Sequence, residues 1–231
     1  MPTVHVTMPI IGRLVAVLAA AALLSACPAH AQNAAPATPA DAAGFEELAR
    51  PGTAVINLSR GGRSSKSFRA EGRWAQALAL KPNYVLIQFG HNDQPGHGPA
   101  RETDPNTTYK QYITDDVVET RAAGIQPVLV TSLTRREFKS DGLIHSSLAP
   151  YAAAMREVAA EQHVPMVDLQ ALSIAYFDKL GPNGWRKLAP LKGKDVYDGT
   201  HLNHDGSEIV GKMVVDALVR AVPALRPDLR E

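Results

Sequence analysis

The sequence predicts an α/β domain in which a parallel β-sheet lies between two layers of helices. Three observations carry this. Four short apolar runs bounded by Gly, Pro, Asn or Ser alternate with longer segments whose apolar residues recur every three or four positions. One run, Tyr84-Val-Leu-Ile-Gln-Phe89, is apolar almost throughout, as a strand covered on both faces must be. The loops that leave the first two runs are polar and rich in Gly, Ser and Asn, and ligands bind at such strand ends.

The elements follow in order. Residues 1–31 read as an export signal: Arg13 precedes the apolar run Leu14–Leu24, and Ala29-His30-Ala31 has the small-x-small form of a cleavage site. That run is too short for a membrane span. Leu24-Ser25-Ala26-Cys27 also resembles a lipoprotein box, which would make Cys27 a lipid anchor. On either reading the protein leaves the cytoplasm, for the periplasm or the medium. Residues 32–43, rich in Ala and Pro, form a linker, and residues 44–231 form the domain. Thr53–Asn57 is a first strand, Ser59–Phe68 a loop and Glu71–Leu80 a helix ended by Pro82. Tyr84–Phe89 is the second strand, and Tyr109, Ile113 and Val117 lie on a helix closed by Gly124. Pro127–Ser132 is the third strand, with a helix around Leu148–Ala159 after it. Val164–Asp168 is the fourth, followed by a helix over Leu169–Leu180, a loop to Tyr197 and a last helix from Ile209 to Ala221.

Bulk composition excludes several classes. A net charge of +1 gives no field for nucleic acid or an anionic membrane, and 6% aromatic residues is lean for a module built on stacking. Cys27 is the one cysteine, so the mature domain has neither a disulfide nor a thiol catalyst.

Three stretches carry chemistry. Asp198 and His201 stand three apart before the last helix, a spacing that lets one loop present a general base and the carboxylate that orients it. The same stretch also reads as a plain N-terminal cap, with Asn203 or Asp205 capping. Gly90-His91-Asn92-Asp93 follows the second strand, and a neutral Asn can donate to a developing oxyanion without adding a charge. Leu58-Ser-Arg-Gly-Gly-Arg-Ser64 follows the first, where glycine lets a backbone N–H approach a substrate oxygen. Either loop alone is also an ordinary turn.

Taken together, the stretches resemble the SGNH, or GDSL, hydrolases, most closely the rhamnogalacturonan acetylesterase-like carbohydrate esterases. The resemblance rests on Asn57 with Gly62-Arg63-Ser64-Ser65, Ser67-Phe68 and Glu71-Gly72-Arg73-Trp74, on Ile87-Gln-Phe-Gly-His-Asn-Asp93, and on Asp198-Gly-Thr-His201. It implies a flavodoxin-like three-layer α/β/α sandwich and hydrolysis of O-acetyl esters on pectic polysaccharide, without a cofactor. It also implies oxyanion donors at Gly62 and Asn92, a general base at His201 and its orienting acid at Asp198. His91 and Arg63 become candidate substrate contacts. His91 and His97 read as surface or rim residues, and Trp74 and Trp185 as packing. Arg60, Arg63, Lys66, Arg69 and Arg73 read either as partners of uronic-acid carboxylates or as a solvated face.

The family's first block, a strand ending in Gly-Asp-Ser, has no counterpart here; Asp205-Gly-Ser207 has the letters but opens the last helix. The sheet is therefore expected to lack its first, central strand. About four buried aliphatic side chains at about 1.5–3 kcal/mol each would be lost with it. The nucleophile is unidentified, with Ser59 a weak substitute. Asp198, His201, His204 and Asp205 offer metal donors, but no third histidine motif supports a zinc site and no metal is expected. Two functional readings stand: an exported carbohydrate esterase impaired in this form, and a catalytically inactive sugar-binding relative. An esterase for lipid ranks last, because no apolar lid is evident.

Overall fold

A computed structural model of the chain describes residues 48–230 and, as backbone, one N-terminal strand. The strands are β1 (Gly12–Leu18), β2 (Thr53–Asn57), β3 (Tyr84–Gln88), β4 (Gln126–Val130) and β5 (Met166–Val167). They form one sheet in the order β2-β1-β3-β4-β5, every pairing parallel. The connecting helices are α1 (Ser65–Ala70), α2 (Arg73–Ala79), α3 (Thr108–Ala122), α4 (Ala149–Glu161), α5 (Leu169–Gly184, kinked at Gly181) and α6 (His204–Ala221).

Side-chain alternation along the strands makes the three layers. Val85, Ile87 and Leu129 point to one face, where they pack with Ile113 and Val117 of α3 and Met155 and Val158 of α4. Leu86, Val128 and Val130 point to the other, against Phe177 of α5 and Val210, Val214 and Leu218 of α6. Both faces of β3 and β4 are covered, which is why those strands read as continuous apolar runs. Trp74 and Trp185 are buried in these two clusters, as packing residues.

The expected gap is filled, and it lies inside the sheet next to the edge strand β2 rather than at the centre, which β3 occupies. β1 lies between β2 and β3, with Leu14 opposite Val55 on one side and Tyr84 on the other. Two parallel strands that do not pair directly leave facing rows of N–H and C=O groups, and a strand between them satisfies both rows. The filler is Gly-Arg-Leu-Val-Ala-Val-Leu, part of the segment read as an export signal. The two uses exclude each other in one molecule, since cleavage at Cys27 or after Ala31 removes β1. The cleavage sites, the linker and residues 44–47 lie outside the described residues. Among the described residues no helix is long and apolar enough to cross a membrane.

Four local readings change. The loop over residues 59–68 ends in helix α1, started by a capping box in which Ser64 and Ser67 bond each other's backbone N–H. The helix read over Glu71–Leu80 starts later, at Arg73, because Gly72, at φ +70°, separates it from α1. Helix α6 begins at His204, earlier than the apolar periodicity, because the Asn203 side chain caps the Gly206 N–H at 3.0 Å. Gly206 is required there, since a Cβ would stand 2.4 Å from the Leu188 carbonyl oxygen. The loop before Tyr197 contains a small antiparallel hairpin, β6 (Leu191–Gly193) with β7 (Val196–Tyr197).

A chain lacking residues 1–31 is expected to lose its cooperative unfolding transition, because β2 and β3 then face each other unpaired. Thermal melts followed by circular dichroism test this. A melting temperature equal to that of the full chain would mean that β1 contributes nothing to the sheet.

Candidate active site

Loops from the carboxyl ends of β2, β3 and β4 meet the loop that precedes α6. The loop after β2 reaches that after β3 through the Asn92 side-chain amide, which donates to the Arg63 carbonyl at 3.3 Å. The loop after β3 reaches that after β4 where the Arg135 guanidinium donates to the His91 carbonyl at 3.2 Å. The loop after β4 reaches the last one where the Arg136 guanidinium donates to the carbonyls of Thr200 and His201. Hydrogen bonds thereby link the loops that hold Gly62, Asn92, Asp198 and His201 one to the next.

The acid–base pair is explicit. Asp198 is 4% exposed, and its Oδ2 lies 2.6 Å from His201 Nδ1. Its Oδ1 accepts the backbone N–H of Thr200 at 2.7 Å and of His201 at 3.1 Å. Burial works to raise the pKa of this carboxyl, but the hydrogen bond from His201 and the two amides outweigh it and hold it well below the usual range. An ionised carboxylate only accepts, so the imidazole proton sits on Nδ1 and Nε2 is left as the base. That Nε2 is buried and has no hydrogen-bond partner among the described residues. Lys192, from the hairpin, adds its ammonium 3.2 Å from Asp198 Oδ2.

The expected oxyanion side is held by a second buried carboxylate. Asp93 accepts from Ser65 N at 3.1 Å, Ser65 Oγ at 2.5 Å, Thr103 Oγ1 at 3.1 Å and Gly90 N at 2.9 Å. It thus ties the loop after β2 to the two halves of the loop after β3. Gly90, at φ +135°, has no room for a side chain: a Cβ would lie 2.5 Å from Ser132 Oγ. Asn92 itself is 4% exposed, and Gly62 turns at φ +76°.

Other expected residues are placed differently. His91 is not a surface or rim residue: it is 5% exposed. Burial, then the nearby Arg135, Arg136 and His201, push its pKa down to about 3, so the ring is neutral near pH 7. The Arg63 guanidinium pairs with Glu71 at 2.9 Å and donates to the Gly61 carbonyl at 3.0 Å. Ser59 gives its hydroxyl to Asn57 Oδ1, not to His201. The basic cluster is drawn into internal pairs. Arg69 meets Asp116 and Glu119, Arg73 meets Glu71, and Lys66 donates to the Pro99 carbonyl. Arg135, Arg136, Asp93 and Lys192 were not singled out from the sequence. For the arginines a signal existed: Thr131-Ser-Leu-Thr-Arg-Arg136 leaves the carboxyl end of β4, as the two recognised loops leave β2 and β3.

Known proteins resemble this chain in sequence and in fold. Residues 27–209 match the model of the GDSL-like Lipase/Acylhydrolase family. The chain belongs to that family. The match begins at Cys27, so β1 lies outside the matched residues. Among GDSL relatives, the rhamnogalacturonan acetylesterase RhgT of Bacillus subtilis (strain 168) is 36% identical over 185 residues, covering 75% of this chain and 78% of the relative. Solved structures share the fold. Protein YxiM of Bacillus subtilis superposes with a TM-score of 0.70 at 24% identity, over 90% of this chain and 56% of that one. An acetyl-xylooligosaccharide esterase from Geobacillus gives a TM-score of 0.62 at 17% identity, over 91% and 95%.

Burial pushes the Asp93 carboxyl up to about 6, against the hydrogen bonds from Ser65, Thr103 and Gly90. An unfolded aspartate titrates near 3.9. Between those values the folded chain binds more protons than the unfolded chain, so this group makes stability fall as pH rises from about 4 to about 6, by on the order of 3 kcal/mol. Denaturant unfolding of the parent and of Asp93→Asn at both ends of that range is expected to show the parent's advantage shrinking toward high pH. A pH-independent difference would mean that burial does not shift the carboxyl.

Proposed function

We propose that this chain is a carbohydrate acetylesterase that removes O-acetyl groups from pectic, rhamnogalacturonan-type polysaccharide. The observation that carries the reading is the buried Asp198–His201 couple, its Nε2 unbonded, beside the loops that hold Asn92 and Gly62. In the proposed reaction Nε2 takes the proton of an attacking hydroxyl, from water or from a side chain, as its oxygen adds to the acetyl carbonyl. The Gly62 N–H and the Asn92 amide stabilise the oxyanion. Collapse of the adduct returns the proton from His201 to the departing sugar hydroxyl. With water as nucleophile the other product is acetate. With a side-chain hydroxyl it is an acetyl-enzyme, which a second water cleaves.

Arg135 supports a charged polysaccharide over a neutral one. Its guanidinium is half-buried, donates to the His91 carbonyl and has no carboxylate within ion-pair distance among the described residues. Burial lowers its pKa, and Glu137 offsets this only in part. A desolvated guanidinium beside the catalytic loops suits a bidentate uronate carboxylate. The name of the similar Bacillus subtilis protein points the same way.

A second reading, a catalytically inactive sugar-binding relative, is favoured by one fact: no hydroxyl among the described residues bonds His201 Nε2. Export, to the periplasm or the medium or as a lipoprotein anchored at Cys27, belongs to the proposal through the sequence of residues 1–31. It competes with β1 for the same residues, and N-terminal sequencing of the recovered protein decides which use prevails.

Acetate release from acetylated rhamnogalacturonan is expected to exceed release from acetylated xylan, and His201→Ala is expected to abolish both. A rate equal to buffer, with oligosaccharide binding retained, would establish the inactive relative instead. Arg135→Gln is expected to raise KM for the acidic polysaccharide about tenfold, the effect of losing roughly 1.4 kcal/mol of binding, and to leave nitrophenyl acetate unaffected. Equal loss on both substrates would remove Arg135 from substrate recognition.

A further inference from the structure

The loop Asp198–His201 is gripped on two opposite faces. On its N–H face the amides of Thr200 and His201 point at the Asp198 carboxylate. On its C=O face all four successive carbonyls accept from a single residue, Arg136. Its guanidinium Nη1 donates to Thr200 O at 2.9 Å, and Nη2 donates to Asp198 O at 3.3 Å and to His201 O. Its backbone N–H donates to Gly199 O at 2.8 Å.

Arg136 is itself held rigidly. It is 4% exposed. Its guanidinium carbon lies 5.4 Å from the Phe177 ring centroid and 5.9 Å from that of Trp185. These contacts tie it to α5 and to the short 3-10 turn Trp185–Leu188, elements separate from the loop it grips. The peptide dipoles of the loop thus lie between a buried cation and a buried anion, oriented favourably to both. A planar fork with several fixed donors suits three carbonyls at once, whereas an ammonium on a flexible stem does not.

We infer that Arg136 is a positioning residue for the reaction: by gripping the carbonyls of the Asp198–His201 loop it sets the imidazole at the angle from which Nε2 meets the attacking hydroxyl. The inference rests on the esterase reading for its kinetic consequence, but its structural content stands apart from activity. Arg136 touches no reacting atom and acts through the loop alone.

The test compares the parent with Arg136→Met and Arg136→Lys. The first removes the grip and the charge; the second keeps charge and stem but loses the fork. Folding is checked by thermal melts. With nitrophenyl acetate, kcat is expected to fall about 100-fold in Arg136→Met, the scale of an ångström-sized misplacement of a catalytic group, while KM stays within about twofold. Arg136→Lys is expected to recover less than about a tenth of that loss. Independently of turnover, the downfield proton signal of the His201 Nδ1–H···Asp198 hydrogen bond, assigned by its absence in His201→Gln, is expected in the parent and broadened away in both variants.

If the parent proves inactive, the esterase reading fails, and the proton signal alone judges the grip. Folded variants that keep that signal unchanged, or that lose KM rather than kcat in an active background, would overturn the proposal. So would unfolding of both variants, which would make Arg136 a residue of the fold rather than of the site.

Discussion

The carboxylate of Asp198 is the group on which the site depends. It is buried, and it accepts from one imidazole N–H and two backbone N–H groups of its own loop. Those bonds keep it ionised despite burial. One atom group thereby closes the loop into a tight turn and orients the imidazole within it. The Asn203 cap and the close contact of Gly206 on Leu188 fix where α6 begins, so the turn is anchored at its far end as well.

A second carboxylate works differently. Asp93 has only neutral donors around it, and burial raises its pKa rather than lowering it. It joins the loops after β2 and β3 through Ser65, Gly90 and Thr103. The two buried acids hold different loops: Asp198 the turn that carries His201, and Asp93 the loops that carry Gly62 and Asn92. Burial, and then the nearby charges of Arg135 and Arg136, keep His91 neutral. An imidazolium at His91 would be a further cation beside them, disfavoured by burial and by its neighbours.

The sheet poses a separate constraint. An interior position, between the edge strand β2 and the central strand β3, is occupied by Gly12–Leu18. That segment is apolar and β-branched enough to serve as a strand, and the same properties make it read as the core of an export signal. The residues that match the family model start later, at Cys27. The strand therefore fills that place without bringing a Gly-Asp-Ser sequence with it.

Much of this was legible in the residues. Periodicity marked β2 to β5 and the long helices, because each strand or helix reports its own buried face locally. The Asp198–His201 hydrogen bond was legible in their three-residue spacing before a helix, and Gly62 and Asn92 in their place after strand ends. Three things needed the fold. That β1 comes from an apparent leader depends on pairing with strands dozens of residues away, which no local pattern records. That His91 is buried and that Arg63 is spent on Glu71 depends on how loops pack over one another. That Arg136 grips the catalytic loop depends on its meeting carbonyls more than sixty residues further along the chain. The sequence by itself determined the family, the layers and the acid–base pair, since those are properties of residue type and spacing. The tertiary structure decided which strand completes the sheet and which charges are free, since both depend on what lies across a gap in space.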